Sequence, residues 1–188
     1  ILSTLLAANV YTEIYTTSAY IIQQSQFGDF TSKHELVLQA LPTQVDSLIT
    51  ESENVEVVKI MPIAKDLSDK ENVDKILTEF VPKVVVGWGV HPVILPLQFG
   101  IVTAPGISKK IAAEQIVSHL GINSKDVLAV GDSTSDWQFI EPCGYKVAMG
   151  NATQELKDLV SSSDHEKSFI APSVEENGIL EVFKHFGL

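Results

Sequence analysis

No arginine occurs in the 188 residues. All 13 basic side chains are lysines, set against 24 acids, and the net charge is −11. Nucleic-acid backbones are held by clustered Lys and Arg, so no nucleic-acid partner is expected. One cysteine, Cys143, excludes an internal disulfide and fits a reducing cytoplasm. Only 11 Gly and 8 Pro in a chain that is 45% hydrophobic exclude collagen and disorder. The apolar opening ILSTLLAA has no basic residues before it, so a signal peptide is not indicated. Residues 84–108 carry no formal charge, a run of 25 that is long enough to cross a bilayer. The run contains Pro92, Pro96, Pro105 and four glycines, with short β-like stretches at 84–86 and 93–95. A pair of buried strands with their turns is the better reading, and no membrane partner is expected.

A chain of this length buries roughly 70% of its unfolded surface and needs no disulfide or metal to fold. Its first residue is Ile, before which an initiator Met is rarely removed, so the chain is not expected to begin where translation begins. Residues 1–104 mix strands and helices. A strand is expected at 12–22, a short helix at 43–49 after Pro42, and a strand at 55–63. Ser68 and Glu71 form a capping-box pattern that opens a helix through Phe80, and two or three strands follow at 81–102. From 105 onward helix and strand alternate. The helix at 108–120 carries an apolar stripe of Ala112, Ile116 and Leu120, with Gly121 placed to end it. Strands at 127–130, 145–149 and 168–171 alternate with helices from about 134, at 153–160 and at 174–186. A buried parallel sheet with flanking helices is the natural assembly.

The residues that carry chemistry cluster in this second part. VLAVGDSTSD (127–136) is an apolar strand that ends at Gly131, with Asp132 and Asp136 four apart. In open α/β sheets ligands bind beyond the carboxyl ends of strands, and two carboxylates there suit Mg²⁺. Ser133 and Asp136 also form a capping box that needs no metal. Lys109 and Lys110 open the 108–120 helix against the positive end of its dipole. That placement is unfavourable unless an anion lies between, so it reads either as a phosphate-binding lysine or as two solvated cations. AMGNA (148–152) is a further strand-to-helix turn, where Asn151 is read first as a cap of the next helix and otherwise as reaching into the same site. Trp88 and His91 flank an expected turn and are read as packing residues. The other histidines lack metal-ligand spacing, and Cys143 has no evident catalytic partner.

Taken in order, PGISKK (105–110), VLAVGDSTSD (127–136), AMGNA (148–152) and EENGI (175–179) resemble the C-terminal half of the Cof-type haloacid dehalogenase (HAD) phosphatases. Residues 1–104 resemble that family's α+β cap. The resemblance implies an α/β fold: a partial HAD-type, Rossmann-like parallel core (105–188) with an inserted α+β cap (1–104). It also implies a Mg²⁺-dependent phosphatase acting on a small phosphorylated metabolite, such as a sugar phosphate, through an aspartyl-phosphate. Lys109 takes the role of the lysine that steadies nucleophile and substrate phosphate, Asp132 that of the principal metal ligand, and Asp136 that of its companion at the metal or the lysine. Ser135 stands where the family has an Asn that contacts the phosphoryl group. Ser133 and Lys110 each replace a family glycine. The cap implied by the resemblance closes over the site and chooses the substrate.

The family's Asp-x-Asp-Gly-Thr segment, with nucleophile and general acid, has no counterpart. The nearest string, GDFTS (28–32), lacks the second Asp and the preceding strand. The chain is therefore expected to be an inactive fragment comprising the cap and the second half of the core. Its strand at 127–130 is expected to show an unpaired edge, open to homodimerisation or to strands from a separate chain. The rival reading is a non-catalytic module that binds a phosphorylated ligand or a partner.

Overall fold

A computed structural model describes residues 1–188, and the chain divides into two compact units, Ile1–Pro105 and Gly106–Leu188. No helix is long and apolar enough to cross a membrane.

The first unit is built on a six-stranded sheet. Its strands are β1 (Tyr11–Tyr15), β2 (Tyr20–Gln23), β3 (Thr43–Val45), β4 (Lys59–Ala64), β5 (Val85–Gly89) and β6 (Gln98–Thr103), in the order β3-β2-β1-β4-β6-β5. All pairings are antiparallel except β2 with β3. Helices α1 (Leu2–Ala7), α3 (Leu48–Asn54) and α4 (Leu67–Thr78) bury Leu5, Leu48, Val73 and Leu77 against one face. On the other face Tyr11, Ile22, Met61, Ile63 and Phe99 pack with Ile94 and Leu97. Phe30 and Val37 of α2 (Asp29–Leu38) close over them.

Several local expectations for this unit are corrected. Residues 12–22 are a hairpin rather than one strand. Thr16 Oγ1 accepts from the amides of Ser18 and Ala19 (3.3 and 3.1 Å) and bends the chain without a Gly or Pro. Residues 43–49 do not form a helix. Thr43–Val45 pairs with β2, and the helix starts only after Ser47, whose hydroxyl accepts from Thr50 N. The helix expected to open at Ser68 is capped by Asp66, which accepts from Asp69 N at 2.9 Å. The uncharged run holds two strands, β5 and β6, but β5 is a sheet edge and not a buried strand. Trp88 lies inside β5, and its Nε1 donates to Asp74 Oδ1 at 2.6 Å. His91 caps the short turn at Pro92–Ile94.

The second unit has a parallel sheet, β7 (Leu128–Gly131), β8 (Tyr145–Ala148) and β9 (Ser168–Ile170), in that order, so β7 is an edge. Around it lie α5 (Lys109–Leu120), α6 (Trp137–Ile140), α7 (Gln154–Ser161) and α8 (Gly178–Phe186). Ser108 caps α5 by accepting from Ile111 N, and Gly121 ends it in the left-handed conformation. Short loops make glycine obligatory at Gly144, where a Cβ would meet the Lys125 carbonyl oxygen at 1.7 Å. The helix expected over 174–186 is interrupted at Asn177, a left-handed residue between a 3₁₀ turn and α8. The stripe of α5 is bare: Ile116 and Leu120 are each 60% exposed. Beyond β7 this unit has no strand on which that stripe could rest.

Candidate active site

β7 is a short apolar strand, and Gly131 ends it beneath a tight turn. A Cβ on Gly131 would meet Asp136 Cβ at 2.6 Å, Ile140 Cδ1 at 2.8 Å and Asp136 Oδ2 at 3.0 Å. Only glycine lets the turn fold back so that the Asp136 carboxylate sits under the end of the strand. There Oδ2 accepts from the amides of Asp132 and Ser133 (both 3.0 Å) and from the Ser133 hydroxyl (3.1 Å). Oδ1 accepts from Lys109 Nζ at 2.5 Å. The expected capping box of Ser133 and Asp136 is present. We expect Gly131→Ala to lower stability by about 1–3 kcal/mol through overpacking and to push the carboxylate away from Lys109. A thermal melt with an unchanged midpoint would contradict this.

Lys109 is placed by the first turn of α5, where the helix dipole disfavours a cation. Asp136 is the carboxylate that offsets it, and the two sequence signals meet as one ion pair. The pair is asymmetric: the Asp136 side chain is 4% exposed and that of Lys109 60%. Burial pushes the Asp136 carboxyl upward. The Lys109 hydrogen bond, the amides of Ser133 and Asp132 and the Lys109 charge outweigh it and hold the group below its ordinary value of 3.8.

Asp132 lies exposed at the rim, and its side chain makes no hydrogen bond. With Lys109, Asp136, Val130 and Asn151 it lines an open cleft of about 650 Å³. Apolar walls are supplied by Ala112 and Ile116 of α5 and by Ile179 of α8. Asn151, read as a helix cap, instead accepts from Val174 N at 3.1 Å, and Thr153 caps α7. Thr153 N donates to the Asp132 carbonyl and Thr153 Oγ1 bonds Thr134 Oγ1 at 2.9 Å, so this residue ties the acidic loop to α7. That role was missed, although a Thr three residues before Leu156 at a helix start is a legible cap signal. Ser135, the expected phosphate contact, bonds the Ser133 hydroxyl at 2.8 Å and does not line the cleft. GDFTS (28–32) starts α2 in the other unit. Cys143 is buried, which pushes its thiol up against the opposing charges of Lys146 and Lys125, and its Sγ donates to Phe139 O.

No three acidic, histidine or cysteine side chains converge anywhere in the chain. Asp136 is buried and already accepts four hydrogen bonds, so the exposed and unpartnered Asp132 is the more accessible carboxylate. That suffices for Mg²⁺, which binds through one or two carboxylates and keeps waters and substrate oxygens for the rest.

The model of the haloacid dehalogenase-like hydrolases matches residues 1–183. A 5-amino-6-(5-phospho-D-ribitylamino)uracil phosphatase of Bacillus subtilis is 26% identical over 153 residues, 81% of this chain and 47% of the relative. Phosphoglycolate phosphatase 1 of Saccharolobus solfataricus is 42% identical over 60 residues, 32% of this chain and 26% of the relative. A haloacid dehalogenase-like hydrolase from Bacteroides thetaiotaomicron superposes with a TM-score of 0.80 at 18% identity, over 98% of this chain and 64% of that one. The chain thus spans about half or less of these curated relatives and about two thirds of this solved one.

Proposed function

Because the chain belongs to the haloacid dehalogenase-like hydrolase family, we propose that its second unit carries the lysine-and-acid half of a phosphatase site. Its substrate is a small phosphorylated metabolite of the sugar-phosphate type, and the first unit is the cap that selects it. One observation carries this reading: Lys109, braced by Asp136, stands with an unpartnered Asp132 at the carboxyl end of β7. The names of the curated relatives support the substrate class, since they are phosphatases of small metabolites.

Lys109 offsets charge on the phosphoryl oxygens, and Asp136 fixes the direction from which it does so. Asp132 would hold Mg²⁺, which neutralises phosphoryl charge when bound. The nucleophile is a carboxylate. It bonds phosphorus as the ester oxygen leaves and takes a proton from a general acid, and water then cleaves the acyl phosphate to release inorganic phosphate. On this reading Asp132 is committed to Mg²⁺ and Asp136 to Lys109, so the attacking carboxylate is a further one. A strand laid on the open edge of β7 would bring a carboxylate to the same end of the sheet and cover Ile116. The 188 residues alone are therefore inactive on this reading, and the protein works in a reducing, cytoplasmic setting.

With Mg²⁺ and a generic aryl phosphate, the chain should show no turnover above background. Turnover that Asp132→Ala abolishes would overturn the assignment of an external nucleophile. Titration calorimetry tests the acid half separately. Mg²⁺ should bind the chain and fail to bind Asp132→Asn, and equal heats from the two proteins would remove Asp132 as the ligand.

A further inference from the structure

The sheet of the first unit treats its two edges differently. Natural sheets blunt their edges with short strands, prolines or charges. β3 follows that rule: it has three residues and lies between Pro42 and Asp46. β5 breaks it. The strand has five residues, and from Val84 to His91 the chain contains no Lys, Asp, Glu or Pro.

β5 is also held firmly as an edge. Val84, Val86 and Trp88 pack on the α4 side against the cluster of Val73, Leu77 and Val102. The Trp88 indole is pinned by Asp74, and Lys70 Nζ lies 5.0 Å from the ring centroid. On the opposite face Gly87 and Gly89 leave open space where a Cβ would project, Val85 is 45% exposed, and Ile101, across from Gly87 on β6, is 40% exposed. The result is an ordered row of free backbone donors and acceptors beside a bare apolar strip.

We infer that the free edge of β5 pairs antiparallel with β5 of a second copy of this chain, which makes a twofold dimer. Charge selects that occupant. Any two copies carry −11 each and repel across most of their surface, but this edge belongs to the 25-residue stretch that has no charge at all. Self-pairing is also closed and self-complementary. With the twofold axis at Gly87, Val86 of one strand faces Trp88 of the other, an aromatic–β-branched pair of the kind that stabilises sheets. Other strand edges fit worse: β9 has three residues and follows Lys167, and β7 is bordered by the cleft walls.

Light scattering on the full chain, from micromolar to submillimolar concentration, tests this. The expected mass is twice the 20.5 kDa of one chain. Gly87→Glu fits the open space but sets two carboxylates opposite each other at the axis. It should weaken dimerisation by at least about tenfold, whereas Gly87→Ala should leave it intact. Should Gly87→Glu not fold by circular dichroism, Val85→Lys, a gatekeeper charge on the same strip, takes its place. A wild-type chain that stays monomeric throughout, or a folded edge variant that dimerises as well as the wild type, overturns the inference. The outcome is independent of any phosphatase activity.

Discussion

Asp136→Ala is expected to cost the second unit about 3 kcal/mol, because it strands several donors at once, each worth roughly 1–3 kcal/mol when left buried and unpaired. The amides of Asp132 and Ser133 lose their acceptor, as does the Ser133 hydroxyl. Lys109 loses its partner too, but its side chain is 60% exposed and returns to water at little cost. The reverse variant, Lys109→Ala, should therefore be the milder one, since Asp136 keeps three of its four donors. The pH dependence has a definite sign. A carboxyl held below its ordinary value of 3.8 in the folded state adds stability that is fully present above that value and is lost as the pH falls through the folded one. Asp136→Asn should flatten the part of the acid unfolding curve that lies below pH 3.8. Hydrogen exchange at the amides of β7 and β8 measures the effect where it arises. If Asp136→Ala left their protection unchanged, or if Lys109→Ala were the more damaging of the two, the carboxylate would not be the keystone of this turn.

The part of this site that was legible in the sequence is the part built from neighbours. An apolar run that ends in Gly-Asp announces a strand with a ligand loop, and Ser108 and Gly121 bracket α5 to within a residue because caps are local chemistry. The Lys109–Asp136 contact spans 27 positions. Only the order of several motifs together, read as a family resemblance, brought the two residues to one site. The exposure of the α5 stripe is illegible for the complementary reason. Periodicity shows that Ile116 and Leu120 share a face, but not whether anything covers that face. In the first unit the hairpin at 12–22 went unseen because hydroxyl side chains make its turn, and the strand at 43–45 because its partner, β2, is about twenty residues upstream. Glu13 gave no signal either. In a Thr-Glu-Ile-Tyr run a lone acid reads as the solvent side of an alternating strand, and its partner His34 is 21 residues away.

That glutamate underlies the second large effect. Glu13 is fully buried in β1. Its Oε1 takes hydrogen bonds from Tyr11 (3.2 Å) and pairs with His34 Nδ1 of α2 (2.9 Å), and its Oε2 accepts from Tyr15 (2.8 Å). The surroundings register the site: burial first, and then the Glu13 charge, raise the Tyr11 and Tyr15 hydroxyls far above their ordinary range, and Tyr20 is pushed up to about 12. Lys59, 3.7 Å from the Tyr15 ring centroid, is lowered by burial while Glu13 opposes the shift. Glu13→Ala removes the acceptor shared by three groups and leaves a cavity in a packed face, which together should cost the first unit about 4 kcal/mol. The losses are unequal. Tyr11 retains Thr31 Oγ1 at 2.9 Å, but Tyr15 retains only the weak acceptor Met61 Sδ and His34 Nδ1 has no other partner. His34 and Thr31 are the buried polar ties between α2 and β1. Both Glu13→Ala and His34→Ala break the first, so the amides of α2 should lose exchange protection before those of β4. A double-mutant cycle should show coupling of at least about 1 kcal/mol between the two residues. Additive losses, or an α2 that stays protected in both variants, would mean that Phe30, Val37 and the Thr31–Tyr11 bond hold the helix and that the buried acid is a passenger in the sheet.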